Sequence, residues 1–369
     1  MKSLVVVGTV VAALAGGGVV VASDHEAKGG ATAPSCAATV DATLRGVAMR
    51  VYSEAAAGPN VVSATRRLAR STRLERAVER GDAAATRAAL RPLLESQIHR
   101  IVVTRGRRVL ADLGTAPALA PARGVIRDAR GRPVGRYTIA VGEDAAIAGI
   151  IHALTGAGVR ILPAGHPAPA GAQASFAASA FPSGAIRVWL LGRPTAACAA
   201  TPQQTVAAMM GAVATRLYRV EAAGPSTRRV LNYVARDRRF VSAVAHDDPA
   251  ALRAAVVRFF RTRFLHVVRV RAITADGRLV GDVGGPYVLA PASSPVREAD
   301  GRVVGRVTLS VQDDTGYMKL IRRFTGAGVV MRTAAGEVPG SSPAASAPDY
   351  SFIATAFPSG PLDVGLVGR

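Results

Sequence analysis

Cysteine is nearly absent from this sequence of 369 residues. Its two cysteines, Cys36 and Cys198, each begin the same tetrapeptide, Cys-Ala-Ala-Thr. So few cysteines exclude a disulfide-rich scaffold, and neither has neighbours spaced like zinc ligands. Two half-cystines are enough for one bridge in an exported chain, and we predict that these two pair. The alternative is two unpaired cysteines in flexible linkers, because a sequence gives no distance between them.

Lysine and acidic residues are also scarce. The 46 basic residues include only three lysines, Lys2, Lys28 and Lys319, and 25 residues are acidic, so the formal net charge is +21. Such an excess attracts anions of every kind. Coding bias would explain arginine in place of lysine but not the scarcity of acids. With 49% hydrophobic and 19% charged residues, the composition is that of a globular protein and not of a disordered one.

Long hydrophobic runs are missing except at the start of the chain. After Lys2, residues 4–21 are apolar with a glycine break at 16–18, and small residues near position 22 fit a cleavage site. Residues 1–23 therefore resemble a signal peptide. An uncleaved N-terminal anchor is the alternative, because the run is nearly long enough to cross a bilayer. We expect the rest of the chain to be extracytoplasmic, either secreted or held by that anchor.

Motifs of known enzymes and metal sites are missing as well. The sequence contains no His-Glu-x-x-His, no Gly-x-Ser-x-Gly, no glycine-rich phosphate loop and no Ser-x-x-Lys. The six histidines are scattered, and the pair Asp313-Asp314 is far short of a calcium site. We therefore predict no catalytic residue, no metal, no cofactor and no specific nucleic-acid partner.

What the sequence does contain is an internal repeat. Residues 176–184 recur at 352–360 with an offset of 176, and residues 112–144 share many identities with 282–314 at an offset of 170. The preceding segments match more weakly at an offset of 166. The predicted division into signal or anchor, linker, first repeat, linker and second repeat is 1–23, 24–37, 38–193, 194–203 and 204–369. Because the second repeat reaches the last residue, we expect no output domain of its own.

Each repeat is predicted to consist of helices followed by strands. Apolar residues at helical spacing open both copies, at Val40, Leu44, Val47, Val51, Val206, Met210, Val213 and Leu217. Gly-Pro pairs at 58–59 and 224–225 end these helices. After His99 and His266 the pattern alternates as in strands, which places Arg269 and Arg271 on one side of a strand. Long helices followed by an antiparallel sheet make an α+β domain.

Turns and strand patterns of the second repeat carry a resemblance to a known family. Thr-Ala-Asp-Gly-Arg-Leu-Val-Gly-Asp at 274–282, Leu-Ala-Pro at 289–291 and Pro-Val-Arg-Glu-Ala-Asp-Gly-Arg-Val-Val-Gly at 295–305 resemble the extracytoplasmic sensor modules called Cache or PDC domains. The resemblance covers most of both repeats and is stronger in the second. It implies two tandem PAS-like domains, each with a long N-terminal helix and a helical segment followed by an antiparallel sheet.

The resemblance also implies a ligand site in the second repeat. In members that bind carboxylates, an Arg and a His ahead of the first strand line the site, as do residues before a Pro-Val pair. Together with strand residues and one aromatic, the candidates are Arg263, His266, Arg269, Arg271, Tyr287, Ser293, Ser294, Ser310 and Gln312. Arginine and hydroxyl donors of this kind suit a small carboxylate. We expect the second repeat to bind a small anionic ligand.

The first repeat departs from this pattern. It offers Gln97 and His99 and then Arg123, so we expect weak binding or none. Other interpretations of the second-repeat residues stay open. Its strand arginines would also form a solvated sheet face, Tyr287 would also serve for packing, and His266 would also cap a helix end.

Three functions are compatible with these features. The first is an extracytoplasmic small-molecule sensor or scavenger that passes its state to a membrane-bound signalling partner and forms a homodimer through its N-terminal helices. The second is an arginine-rich structural module that binds anionic envelope polymers, for which strong salt dependence would be typical. The third is a secreted enzyme with an unrecognised site. We rank them in that order.

Overall fold

A long helix opens each half of the described chain. The computed structural model describes residues 34–94, 98–114, 118–142, 144–181, 184–192, 198–262, 265–285, 288–343, 348–357 and 360–368. Its first-half helices are α1 (Cys36–Ala57), α2 (Pro59–Ala69), α3 (Thr72–Arg80), α4 (Ala83–Leu94) and α5 (Asp144–Thr155). Ser35 caps α1 through a hydrogen bond from Ala38 N, and the predicted Gly58-Pro59 break separates α1 from α2.

The first half contains two antiparallel sheets. Its strands are β1 (Arg100–Arg105), β2 (Arg108–Gly114), β3 (Ala118–Leu119), β4 (Ala122–Arg127), β5 (Pro133–Ala140), β6 (Gly158–Pro163), β7 (Ala172–Phe181) and β8 (Gly184–Leu191). One sheet has the order β2-β1-β5-β4 and the other β3-β7-β8-β6. Helices α2, α3 and α4 lie on the first sheet, while α1 and α5 lie on the second.

The same order of elements follows in the second half. Its helices are α6 (Pro202–Ala223), α7 (Pro225–Ala235), α8 (Arg238–Ala245), α9 (Pro249–Arg261) and α10 (Asp314–Thr325). Its strands are β9 (Arg269–Thr274), β10 (Leu279–Gly284), β11 (Val288–Leu289), β12 (Ala292–Arg297), β13 (Val303–Ser310), β14 (Gln312–Asp313), β15 (Gly328–Thr333), β16 (Gly336–Glu337), β17 (Tyr350–Phe357) and β18 (Gly360–Val367). The sheet orders are β10-β9-β13-β12 and β14-β11-β17-β18-β15-β16.

This architecture confirms the predicted α+β class but corrects the number of sheets. The sequence predicts one sheet in each copy, and the structure contains two. The chain changes sheets at the Leu-Ala-Pro motif, where Ala120 and Ala290 adopt left-handed φ values of 51° and 53°. The short strand before each alanine joins the second sheet, and the strand after the following proline joins the first.

Hydrophobic side chains form three clusters in the described part. One lies between α2–α4 and their sheet around Leu74 and Ile101, and its counterpart in the second half surrounds Phe240 and Phe259. The third is built from both halves and includes Leu44, Val47, Ile151, Val188, Val213, Leu217, Tyr317 and Val364. Here α1 packs against α6. Most of the apolar residues predicted on the two long helices are therefore buried within one chain, while Val206 stays exposed.

The two cysteines lie at the start of these long helices. Cys36 is the first residue of α1, and Cys198 precedes α6. Their Cα atoms are 5.7 Å apart, and the structure joins the two sulfurs in a disulfide. This separation is within the range that a bridge requires.

Candidate functional site

An open pocket of about 540 Å³ lies in the second half, where α6 is followed by α7 and where the chain enters β9 and leaves β13. Its lining comes from three separate stretches of chain: Glu221, Ser226, Thr227, Val230, Leu265, His266, Val267, Val268, Val311, Gln312 and Asp313. Of the predicted site residues, the structure brings His266 and Gln312 together here. The size is that of a small-molecule site.

His266 has the most unusual backbone of this lining. Its φ is 49°, in the left-handed region. Histidine is one of the few residues that tolerate this conformation, and such strain is concentrated at functional sites. The side chain is exposed, and its imidazole has no hydrogen-bond partner among the described residues. No described residue therefore occupies either ring nitrogen.

Glu221 contributes a carboxyl group from the last turn of α6. Burial raises the pKa of this carboxyl above its usual value. Its side chain makes no hydrogen bond within the described part, although its backbone oxygen accepts one from Thr227 Oγ1 at 2.6 Å. An unsatisfied, partly buried carboxyl group favours a ligand that donates a hydrogen bond to it.

Gln312 and Asp313 form the side of the pocket that leads into α10. Asp313 Oδ1 accepts a hydrogen bond from Gly316 N at 2.5 Å and so caps the helix, while Gln312 Nε2 donates to the backbone oxygen of Asp313 at 3.2 Å. Burial, and secondarily the charge of Asp313, raises the pKa of the next residue, Asp314. One carboxylate oxygen of Asp313 is therefore occupied by the helix cap.

Arg269 is engaged with the protein and not with this pocket. Its Nε and Nη2 donate to the two carboxylate oxygens of Asp282 at 2.7 and 2.8 Å, and its Nη1 donates to the backbone oxygen of Gly285. Bidentate pairs of this kind are among the stronger charge-assisted hydrogen bonds. Arg100 and Asp112 form the same pair in the first half, at 3.1 and 2.9 Å. The guanidinium of Arg269 is thus occupied by a carboxylate of the chain itself.

Two other predicted residues, Arg271 and Ser293, lie on the outer face of the β10-β9-β13-β12 sheet, whereas the half-buried Ser294 lies on the inner side of β12. Arg271 and Ser293 flank Thr308 in the strand register, and Ser293 Oγ is 2.7 Å from Thr308 Oγ1. Ser294 donates its hydroxyl to the backbone oxygen of Pro295 at 3.3 Å. Strand β9 alternates half-buried and buried residues, as predicted. This arrangement favours the solvated-face interpretation of Arg271 and Ser293.

Ser310 is fully buried, and its hydroxyl group forms hydrogen bonds with the backbone. Its hydroxyl lies next to the carbonyl oxygens of Leu289 and Gln312 and accepts a hydrogen bond from Gln312 N at 3.1 Å. It ties β13 to β11 and does not line the pocket. The remaining predicted residues, Arg263 and Tyr287, lie outside the described residues, as does Gln97 in the first repeat.

The first half lacks the polar groups of this pocket. At the offsets that align the two halves, Ala55 replaces Glu221, Val61 replaces Thr227 and Gly142 replaces Gln312. Sequence reasoning did not select Glu221 or Thr227. The signal that could have found them is this replacement of a small or apolar residue by a polar one in only one of two otherwise similar copies.

A larger cleft, of about 780 Å³, lies between the N-terminal parts of α1 and α6. Small and apolar residues such as Ala42, Gly46 and Met210 form most of its wall. The hydroxyl groups of Thr39 and Thr43 in this wall donate to backbone oxygens of the preceding turn. None of the predicted site residues lies there, so the smaller pocket is the candidate site.

The part of the chain that the structure describes contains no group of three or more histidine, cysteine or acidic residues placed to hold a metal ion. Within the same residues, no helix is both long and apolar enough to cross a membrane.

No protein-family model and no curated protein matches this sequence. Among solved structures, the chain is similar to the periplasmic domain of Vibrio cholerae LuxQ, at 13% identity and a TM-score of 0.32, over 44% of this chain and 100% of that one. A second crystal structure of the same domain, with selenomethionine, gives 14% identity and a TM-score of 0.30, over 44% of this chain and 98% of that one.

Proposed function

We propose that this protein binds a small molecule outside the cytoplasm, as a sensing or scavenging module without catalytic activity, and that the ligand lies beside His266. The pocket carries this proposal, because three groups meet there: an imidazole on a left-handed backbone with no partner among the described residues, a partly buried carboxyl and a side-chain amide. The repeated order of elements supports two copies of one domain, residues 38–193 and 204–369, of which the second holds the site. A membrane-bound partner would receive the signal.

The chemistry of the pocket refines the expected ligand. The sequence predicts a small carboxylate-type anion, recognised by Arg263 and His266. Glu221 and Asp313 add acidic groups to the same pocket, and these would repel a simple anion but attract an amine. A small carboxylate that also carries an amino group satisfies both sets of residues. Arg269 has no part in this proposal, because Asp282 occupies its guanidinium.

The test is a thermal-shift screen of the full chain with amino acids, simple carboxylates and simple amines. A ligand at a hundred times its dissociation constant stabilises the folded protein by about 2.7 kcal/mol, which raises the melting midpoint by several degrees. His266→Asn keeps a residue that tolerates the left-handed backbone but removes the imidazole. We expect it to weaken binding about tenfold or more, and Arg263→Ala to do the same.

His99→Asn is the control: it removes an imidazole from the first half, away from the pocket, and should leave binding unchanged. The proposal is wrong if no compound shifts the melting midpoint, or if His99→Asn weakens binding as much as His266→Asn does. Simple carboxylates that bind more tightly than their amino derivatives would contradict the role given to Glu221 and Asp313.

A further inference from the structure

A second pocket of the second half lies between two helices, away from His266. It has a volume of about 580 Å³ and runs between α8 and α9. Alanines form its floor, at Ala243, Ala251, Ala254 and Ala255. Its walls carry Arg238, Arg239, His246 and Arg258 together with Ser242 and one acidic residue, Asp248, so cationic side chains predominate around a shallow groove with small residues at the bottom.

Two of these arginines have no bonding partner among the described residues. Arg238 and Arg239 are exposed in the first turn of α8, and neither makes a hydrogen bond or ion pair within the described part of the chain. Arg258, on the opposite wall, is held by Asp237 through an Nη2–Oδ1 contact of 2.7 Å. His246 donates from Nδ1 to the backbone oxygen of Ser242 at 2.9 Å, which leaves Nε2 for a ligand.

The acidic residues around this groove are already engaged. Asp237 pairs with Arg258, Asp247 pairs with Arg278, and Asp248 caps α9 through Ala250 N and Ala251 N. Against these three acids, helices α7–α9 and their connections present seven exposed arginines: Arg228, Arg229, Arg236, Arg238, Arg239, Arg253 and Arg261. Arginines therefore outnumber acids on the helices that carry the groove, and Arg261 lies one turn beyond Arg258 on the same face of α9.

The equivalent helices of the first half differ at the groove itself. Thr72 stands where the second half has Arg238, and Pro92 where it has Arg258. Glu75 and Glu79 replace Val241 and Ala245 and bring acidic groups among the first-half arginines. The unbalanced positive groove is therefore a property of the second half, so arginine-rich composition alone does not explain it.

We propose that the α8–α9 groove is a docking site for a linear polymer that carries phosphate groups along its chain. Guanidinium groups bind phosphate in a planar, bidentate manner, and the two free arginines supply two such forks on one wall. The exposed arginines beyond the groove can bind the next phosphates of the same chain, which one small anion could not reach. The alanine floor lets the polymer lie close to the helices. This site is independent of the pocket beside His266.

The test measures binding of a fluorescent long-chain polyphosphate to the full chain by anisotropy, between 50 and 200 mM salt. The double variant Arg238→Gln/Arg239→Gln should weaken binding at least tenfold and lower the slope of log affinity against log salt by about two, because each lost phosphate contact removes about one. The two side chains are exposed and unpaired, so folding should be unaffected, and the melting midpoint checks this.

The charge-matched control is Arg107→Gln/Arg108→Gln, which removes two exposed arginines from the β1–β2 hairpin of the first half. It should weaken binding less than threefold. If both variants lost affinity equally, net charge alone would explain the binding and the proposal would be overturned. The proposal would also be overturned if tripolyphosphate bound as tightly as the long-chain polyphosphate. A membrane surface would be the occupant instead if the groove variant no longer sedimented with anionic lipid vesicles but still bound polyphosphate as the parent does.

Discussion

At the scale of single residues, the Arg269–Asp282 and Arg100–Asp112 pairs differ in how far water reaches the carboxylate. Asp282 is 17% exposed beside Arg269, whereas Asp112 is 46% exposed beside Arg100. Removal of the arginine leaves the carboxylate behind in both cases. A carboxylate that water can reach is rehydrated, while one that stays buried keeps most of its desolvation penalty.

Arg269→Ala should therefore destabilise the protein by about 3 kcal/mol, the cost of leaving a buried charge unpaired. Arg100→Ala should cost less, because water can solvate Asp112. Urea unfolding at neutral pH measures both values. Ligand binding beside His266 should survive the Arg269 change. If the variant lost ligand binding without losing stability, Arg269 would be a ligand-binding residue after all.

Glu221 makes the stability of the folded protein depend on pH. Burial raises the pKa of its carboxyl above the usual value of 4.5, so the folded state holds this proton more tightly than the unfolded state does. Its contribution to stability is therefore greatest below about pH 4.5 and is lost as the pH rises through the folded pKa. His266 and Asp313 face the same pocket.

Glu221→Gln should remove this dependence. The variant should be more stable than the parent at pH 7, and the difference should shrink as the pH falls towards 4, because the parent carboxyl is then protonated. Denaturant melts at several pH values give the comparison. A difference that stays constant over this range would mean that the carboxyl group is solvated.

The sequence could reveal the role of a residue only where that role depends on residues close to it in the chain. Alternation along β9 is a local property, and it correctly placed Arg269 and Arg271 opposite the core. The partner of Arg269 depends on the antiparallel register of β10 against β9, which brings Asp282 alongside. Neither repeat motif nor composition encodes that register. The pocket residue Glu221 lies far from His266 in sequence and was missed for the same reason.

At the scale of elements, the C-terminal ends of α5 and α10 each lie beside an arginine from the other half of the chain. Gly156 and Gly326 follow these helices with left-handed φ values of 75° and 79°. Arg216 of α6 lies against Gly156, and Arg50 of α1 lies against Gly326. Arg216 Nη1 donates to the backbone oxygens of Leu154 and Thr155 at 3.4 and 2.5 Å, and burial lowers its pKa. Arg50 is exposed and makes no hydrogen bond within the described part.

Arg216→Ala should cost about 1 to 3 kcal/mol of unfolding free energy, because two carbonyl groups at the end of α5 lose their donor. Arg50→Ala is the matched change and should stay within about 0.5 kcal/mol, as is typical of exposed positions. Chemical denaturation of the two variants decides the matter. Equal costs would mean that the hydrogen bonds of Arg216 contribute nothing.

Elements were predictable where the signal is local. Gly-Pro pairs ended both long helices where expected. The split of each strand region into two sheets was not predictable, because it depends on Ala120 and Ala290 in a conformation that alanine rarely adopts. A sequence pattern with alanine at these positions gives no sign of a left-handed residue.

At the scale of the whole molecule, each half has a hydrophobic cluster of its own, and the described residues of both halves share a third. Leu44 and Ile151 from the first half pack in the same cluster as Val213 and Tyr317 from the second. Periodicity shows which face of α1 or α6 is apolar, but not that the two helices cover each other. A helix stripe carries no information about its partner, so an interface with a second chain was equally compatible with the sequence.

The bridge between Cys36 and Cys198 joins the starts of the two long helices, and these residues are 162 apart in sequence. A cross-link that closes so long a loop restricts the unfolded chain, and the chain-entropy model gives a stabilisation on the order of 5 kcal/mol, often less in practice. We expect reductant to lower the unfolding free energy by several kcal/mol. The double variant Cys36→Ser/Cys198→Ser should be equally destabilised and insensitive to reductant.

A thiol titration of the unfolded, unreduced protein supplies the independent check. Protein from an oxidising compartment should show no free thiol, because both cysteines are consumed by the bridge. Two free thiols would contradict the pairing directly. Stability that does not respond to reductant, in protein without free thiols, would show that the shared core around α1 and α6 holds the halves together without help from the cross-link.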